Sequence, residues 1–370
     1  LEEAVALDPN FTRAWVDLVQ YLTHANYFFE HDPELTTRAE EIIERLRVMA
    51  PGSAEYLEAQ SFYVYYVLKD YDRASELISA AHALRPSDTD ILAIKTWIQR
   101  RQGDYEGRIE TIRQIQELTP GDLAATGRLV IDLMMLHRYE EAAADIEQAG
   151  SDSYELASWD SLLQLREHGD LARWSAEFIA LADKSPEDVR RDDMMMALLA
   201  ARDFAAAEAL YADMPEPDMS GEIIDTAMVE KKLPLMLIYW FLDDEDRLKE
   251  AAAELQRLFD RLYSGGGVGE LGYTAQSSLV AAVLGDREKA TRLVEPYTRA
   301  SRKDRTARAL FLHESCRTLG IAGAAEEAAD CIRRSLEEPS FVMPFLDPFL
   351  PHYDPVREHP AFAELLAELD

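Results

Sequence analysis

The sequence predicts an all-α solenoid of about nine helical hairpins, and three observations carry that prediction. Tyr71, Tyr105 and Tyr139 stand 34 residues apart in one local setting: Asp70-Tyr71-Asp72, Asp104-Tyr105-Glu106 and Arg138-Tyr139-Glu140. Pro86 and Pro120 keep the same interval, each closing a helix-like run that ends in Leu84-Arg85 or Leu118-Thr119. Hydrophobic residues make up 48% of the 370, ample for a continuous core. A period of this length marks stacked helix–turn–helix units, none of which buries its apolar face alone.

Taken in order, residues 1–7 read as the end of a helix. Ala4 and Pro9 have the spacing that closes a unit, so the natural chain is expected to continue upstream. The next hairpin opens with Trp15, Leu18 and Leu22 at helical spacing and takes an insertion at 23–37 before a helix holding Ala39, Ile43 and Leu46. The most regular units are 54–86, 88–120 and 122–150, turning at Leu68-Lys69-Asp70, Gln102-Gly103-Asp104 and His137-Arg138. Gly103 suits a helix end because a left-handed backbone there costs Gly almost nothing. The Tyr after each turn is expected to wedge between the two helices of its own unit. The sixth unit, 153–184, turns at Gly169-Asp170, and Ser185-Pro186-Glu187-Asp188 then has the cap, the Pro and the acids of a helix start. The seventh turns at Arg202-Asp203-Phe204, with Phe204 in the Tyr slot.

The regular array is therefore expected over 1–213. A kinked hairpin and Gly-rich loop follow over 214–270, where Met214-Pro215-Glu216-Pro217-Asp218 breaks the chain and Pro234 interrupts a helical run. Two more hairpins are expected over 271–340, turning at Gly285-Asp286 and around Gly320 to Gly323, and a Pro-rich cap over 341–370 ending in a short helix.

Composition excludes several classes of partner. The formal charge of −32, from 38 basic and 70 acidic residues, repels a phosphate backbone, so neither nucleic acid nor an anionic membrane is expected as a partner. The longest strongly apolar run without charge, Leu233 to Leu242, falls well short of the roughly 20 residues that cross a bilayer. Cys316 and Cys331 are the only cysteines. They are expected on the two helices of one late hairpin, as buried free thiols or, alternatively, as a single bridge.

Chemistry is sparse. Gly267-Val268-Gly269-Glu270-Leu271-Gly272 spells G-x-G-x-x-G, but a helix rather than a strand precedes it and the loop holds no basic residue, so a flexible inter-repeat loop is expected. Asp243-Asp244-Glu245-Asp246 lacks the alternating oxygen ligands of a calcium loop and sits where acids stabilise a helix start. His352 and His359 have no ligand-spaced Cys or His partner, and His313, Glu314, Ser315 and Cys316 are helix neighbours that do not face one another. The chain is read as non-catalytic, with no cofactor and no metal.

Small and aromatic residues on a 34-residue frame resemble the tetratricopeptide repeat. Trp15 and Leu18 occupy that motif's early aromatic and Leu positions; Gly103, Tyr105 and Pro120 match its turn Gly, turn aromatic and closing Pro, and Tyr139 and Ala142 its aromatic and following small residue. The resemblance implies a right-handed solenoid. The long-insert first hairpin and the ending Phe349-Leu350-Pro351-His352-Tyr353-Asp354-Pro355-Val356-Arg357-Glu358-His359-Pro360-Ala361-Phe362 are further similar to C-terminal regions of bacterial regulators, in which a winged-helix, nucleotide-cyclase or kinase domain precedes the array. No such effector lies in this chain, and the compartment depends on what stands upstream.

The resemblance also implies a groove lined by the first helix of each unit. Tyr56, Tyr63 and Tyr66, then Trp97, Arg100 and Arg101, Met134 and Met135, and Trp159 and Arg166 occupy its inward positions. Aromatic, Arg and Met side chains suit the capture of a peptide or partner protein, with Arg holding carboxylates. The same aromatics also serve as packing between adjacent first helices, or as contact with a preceding domain. Two other readings are a substrate-positioning array for an absent catalytic domain, and a homo-oligomer using Leu235, Ile238, Tyr239, Trp240 and Phe241.

Overall fold

A computed structural model describes residues 1–27, 32–150, 153–184, 190–212, 214, 222–262, 269–299 and 305–369. Among these, every regular element is helical. The chain is all-α, built of helical hairpins, and divides within one helix into two compact units: Leu1–Leu129, joined by Arg305 and Thr306, and the other residues from Val130 onward.

The first unit begins with the short α1 (Glu2–Leu7) and continues through α2 (Thr12–Ala25), α3 (Pro33–Met49), α4 (Ala54–Tyr63), α5 (Tyr71–Leu84), α6 (Thr89–Gln102) and α7 (Tyr105–Leu118). Helix α2 packs on α3, α4 on α5 and α6 on α7, while α2 also meets α4 and α5 meets α6. Val16, Val19, Ala39, Leu46, Phe62, Ile78, Ile91 and Ile98 fill one core between them. The division falls inside α8 (Leu123–Met135).

The second unit runs through α9 (Tyr139–Ala149), α10 (Tyr154–His168), α11 (Leu171–Ala182), α12 (Arg191–Ala200), α13 (Phe204–Ala212), α14 (Glu222–Phe241), α15 (Glu245–Leu262), α16 (Gly269–Val283), α17 (Arg287–Arg299), α18 (Arg305–Ile321) and α19 (Ala325–Glu337). Helices α10 and α11, α12 and α13, α14 and α15, and α16 and α17 pair. Helix α14 is continuous through Pro234. The helix start expected at Ser185 lies outside the described residues, as do 215–218 of the break and Ser264 to Gly267 of the Gly-rich loop; Gly269 to Gly272 already belong to α16.

One device closes the hairpins. Eight first helices end on a single left-handed residue: Lys69 (φ 55°), Gly103 (78°), His137 (58°), Gly169 (65°), Arg202 (57°), Asp243 (56°), Gly285 (79°) and Gly323 (69°). In six of these turns the next N–H reaches back to the carbonyl five residues earlier, as in Asp104 to Gln99 at 2.9 Å, Asp203 to Leu198 at 2.9 Å and Asp286 to Ala281 at 2.9 Å. This geometry satisfies the orphan carbonyls of a helix end. An Asp in the following position then caps the second helix: Asp70 to Arg73 N–H (3.1 Å), Asp104 to Gly107 (3.0 Å), Asp170 to Arg173 (2.9 Å), Asp203 to Ala206 (3.0 Å), Asp244 to Arg247 (3.1 Å) and Asp286 to Lys289 (3.0 Å). The Asp243–Asp246 run is thus half turn residue, half cap. Gly320, expected near the last turn, lies inside α18 instead, where a Cβ would come within 2.6 Å of the Tyr353 ring.

One expectation is corrected. Cys316 on α18 and Cys331 on α19 are joined as a disulfide rather than standing as free thiols. Both face the interior of the hairpin, among Leu312, Leu319, Ala328 and Ile332, so burial and pairing coincide. The Pro-rich segment after α19 lies across the second unit before α20 (Pro360–Leu369) packs back on α19.

A left-handed backbone costs a non-Gly residue about 1 kcal/mol or more, and Gly recovers part of that after its own entropy loss. Asp243→Gly is expected to stabilise the chain by about 0.5–1 kcal/mol in urea unfolding; a loss of stability would contradict the turn assignment.

Candidate functional site

The first-helix row of the first unit brings side chains together at two places. At its N-terminal end, the Glu58 carboxylate of α4 accepts two bonds from the Arg13 guanidinium of α2, at 2.9 and 3.0 Å. Arg13 also pairs with Asp17 at 2.9 Å and lies 3.7 Å from Asp90 of α6. Glu58 is fully buried, and that desolvation, partly offset by Arg13, pushes its carboxyl up to about 7. At the C-terminal end stands an aromatic cluster. Tyr66 meets Tyr65 (4.7 Å between ring centres), Tyr27 (5.6 Å) and His24 (5.6 Å). Two cations lie over these rings: Lys69 at 5.3 Å from the Tyr27 centre and Arg101 at 5.9 Å from that of Tyr65, whose hydroxyl accepts a 3.1 Å bond from Arg101 Nε. Burial raises the Tyr66 phenol further, so it stays protonated.

A local irregularity builds this cluster. Residues Val64–Leu68 form a π-helical turn, and the closing bond from Asp70 N–H consequently reaches back six residues, to Val64. The extra residue brings both Tyr65 and Tyr66 inside. Such turns interrupt α-helices frequently at functional sites.

The ten residues expected in the groove are distributed differently. Tyr63 donates from its hydroxyl to Glu40 on α3, away from the aromatic row, and this contact together with burial raises its phenol to about 12. Tyr56 is partly buried in the same core as Trp97. Tyr66 and Arg101 belong to the cluster; Arg100 is half-buried, its Nε without an acceptor among the described residues. In the second unit Met134 and Met135 are buried, Trp159 is half-buried, and Arg166 pairs with Glu140 at 2.8 Å while lying 4.9 Å over the Tyr139 ring. Sequence reasoning missed His24, Tyr27, Tyr65 and Lys69. The aromatic content of Phe62-Tyr63-Val64-Tyr65-Tyr66 was visible, but the π turn that orients it was not.

The inner side of the second unit is occupied by the chain itself. Ser340 N–H donates to the Met135 carbonyl at 3.0 Å, and Phe345 meets Tyr139 edge-on at 5.3 Å. Leu346 and Leu350 bury themselves among Tyr154, Leu165, Trp174, Phe178 and Ala197. Between them Asp347 is almost completely buried; its Oδ1 accepts from His313 Nε2 and Arg317 Nη2, both at 2.7 Å, and its Oδ2 from Met343 N–H at 2.8 Å. These donors hold the Asp347 carboxyl far below the usual carboxylate range against its desolvation. Burial keeps His352 neutral, facing Phe241 at 5.4 Å. His313 is thus a structural donor and Cys316 carries no thiol, which dissolves the His313–Cys316 grouping. Among the described residues no three His, Cys, Asp or Glu side chains gather as a metal site, and no helix is long and apolar enough to cross a membrane. Leu235 and Ile238 are buried in the unit's own core, Phe241 stacks on Phe204 at 5.1 Å, and Tyr239 and Trp240 are half-buried.

No family model and no curated protein matches the sequence. Among solved structures, the chain is similar to a human IFIT1 dimer with PPP-AAAA, at 13% identity over 90% of this chain and 85% of that one, with a TM-score of 0.46. It is similar to Naa15/Naa10 bound to HypK-THB at 12% identity over 100% of this chain and 59% of that one, with a TM-score of 0.29. For the P58(IPK) TPR domain the values are 14%, 90%, 97% and 0.23.

Because the folded chain holds the Glu58 proton to about 7 and the unfolded chain releases it near 4.5, the contribution of this group is complete below the lower value and is lost as pH rises through the upper one. Relative to Glu58→Gln, the parent chain is expected to lose roughly 2–3 kcal/mol of unfolding free energy between about pH 5 and pH 8. A pH-independent difference in urea unfolding would contradict the assignment.

Proposed function

We propose that the chain is a non-catalytic recognition module whose first unit binds an extended peptide segment of a partner protein along the first-helix row. The observation that carries this is the aromatic–cation cluster of Tyr27, Tyr65, Tyr66, Lys69 and Arg101. Aromatic and Arg side chains supply most of the energy at protein interfaces. On a chain of charge −32, Lys69 and Arg101 over the rings give this cluster a local positive charge, the sign that suits an acidic segment. The other end of the row, with Asp17, Glu58 and Asp90 around Arg13, carries the opposite balance, so a bound segment is oriented with its acidic or C-terminal end at the cluster.

The wider setting we infer is a larger bacterial regulatory protein, a reading supported by the sequence 349–362. The buried positions of that signature have a structural task here: Tyr353 stacks on Phe362 at 5.3 Å, and Arg357 donates to the carbonyls of Pro348, Phe349 and Leu350. The signature therefore speaks for the construction of the array's end, and the reading of a substrate-positioning array stays open beside it.

Peptides selected from a random displayed library on the full chain test the proposal. The selected sequences are expected to share a carboxylate next to an aromatic or aliphatic residue. Lys69→Ala with Arg101→Ala is expected to weaken them at least tenfold, about 1.4 kcal/mol, in fluorescence anisotropy, with helical circular dichroism unchanged. Equal affinity for the folded double variant would refute the assignment of the first unit.

A further inference from the structure

The segment after α19 makes its backbone bonds almost entirely within itself. Leu346 and Asp347 N–H donate to the Met343 carbonyl, Phe349 to Leu346, Leu350 to Asp347 and Tyr353 to Leu350. Among the described residues, Ser340 to Met135 is its one backbone bond to the helices it covers. Everything else is side-chain recognition. An aromatic, Phe345, meets Tyr139; two leucines, Leu346 and Leu350, enter the apolar wall; and one acid, Asp347, sits between His313 and Arg317. Arg317 in turn lies 3.4 Å from the Met196 sulfur, on the wall itself. Two tethers, α19 before and α20 after, hold this stretch in place.

These are the ingredients of a peptide complex made in cis. We propose that the inner side of the second unit is a peptide-binding site whose resident occupant is residues 340–350, and that the ligand it accepts is a segment of the pattern Phe-Leu-Asp-x-x-Leu folded into the same hydrogen-bonded turns. Arg317 and His313 read the acid, and the wall of Tyr154, Leu165, Trp174 and Phe178 reads the two leucines. Methionines 135, 194 and 196 line or adjoin this wall, and their flexible thioethers tolerate a change of occupant. Covalent attachment gives the resident segment an effective concentration in the millimolar range. A partner carrying the pattern gains the site only when the resident is weakened or released. This inference does not depend on the assignment of the first unit.

The test uses a fluorescein-labelled synthetic peptide of residues 338–352 and the full chain. Asp347→Ala with Leu350→Ala alters the resident segment and leaves the helices that would receive the peptide untouched. The labelled peptide is expected to bind this variant at least tenfold more tightly than the parent chain, and a peptide with Ala in place of its own Asp and second Leu is expected to lose that binding. Arg101→Ala in the first unit is expected to leave it unchanged, which separates this proposal from the one above. Equal or undetectable binding to a variant of parental helical content overturns the proposal. Should the variant not fold, native-state hydrogen exchange on the parent chain decides. Amides of 340–350 that open at least tenfold more often than those of α9–α12 support a separable occupant, and amides that open only together with those helices overturn it.

Discussion

Eight hairpins depend on a helix end that turns through one left-handed residue, and in six of them an Asp then caps the second helix. The left-handed residue satisfies the last carbonyls of the first helix, and the Asp after it satisfies an N–H of the next. That constraint fixes where each first helix stops, and so which of its side chains look inward together. Arg13, Glu58 and Asp90, drawn from three successive first helices, meet because their helices begin in register. The aromatic cluster forms at the other end for the complementary reason: α4 overruns its turn by one residue, and Tyr65 and Tyr66 are both carried inward.

The two units use this geometry differently. In the first, the inward row mixes charge and aromatic rings, with cations resting on phenol faces. In the second, a segment of turns and one 3-10 helical turn lies on the inward side, held by one buried carboxylate. Burying a lone charge is costly. Asp347 avoids that cost through two cationic or imidazole donors and a backbone N–H, so its removal would leave Arg317 and His313 without their shared acceptor. Gly320 belongs to the same arrangement, since only a residue without a Cβ lets the Tyr353 ring and the His352 carbonyl approach α18 so closely.

Much of this was legible in the sequence because it is local. The interval between Tyr71, Tyr105 and Tyr139 marks turns whose chemistry involves a handful of adjacent residues, and Gly103, Gly169 and Gly285 announce left-handed positions directly. Lys69, His137, Arg202 and Asp243 take the same conformation without any residue-type signal of their own; at three of the four the Asp that follows is the better marker. The inward face was harder to read. A single inserted residue in α4 rotates everything after Tyr63, so Tyr63 reaches Glu40 while Tyr66 turns to Tyr27. Met134 and Met135 are both buried, and the Ser340 N–H that reaches the Met135 carbonyl comes from roughly two hundred residues later in the chain, beyond any periodicity argument. The disulfide is intermediate: the sequence placed both cysteines on one hairpin, and only the facing of α18 and α19 decides that they meet.

The account rests most on inward faces being recognition surfaces, one of them already engaged by residues 340–350. Photocrosslinking addresses this directly, with benzoylphenylalanine placed at Phe345 of the full chain and the products mapped by mass spectrometry. Adducts within α8–α12, centred on Tyr139 and Tyr154, are the predicted outcome. Adducts confined to residues 338–370, or formed only between separate molecules, would contradict it.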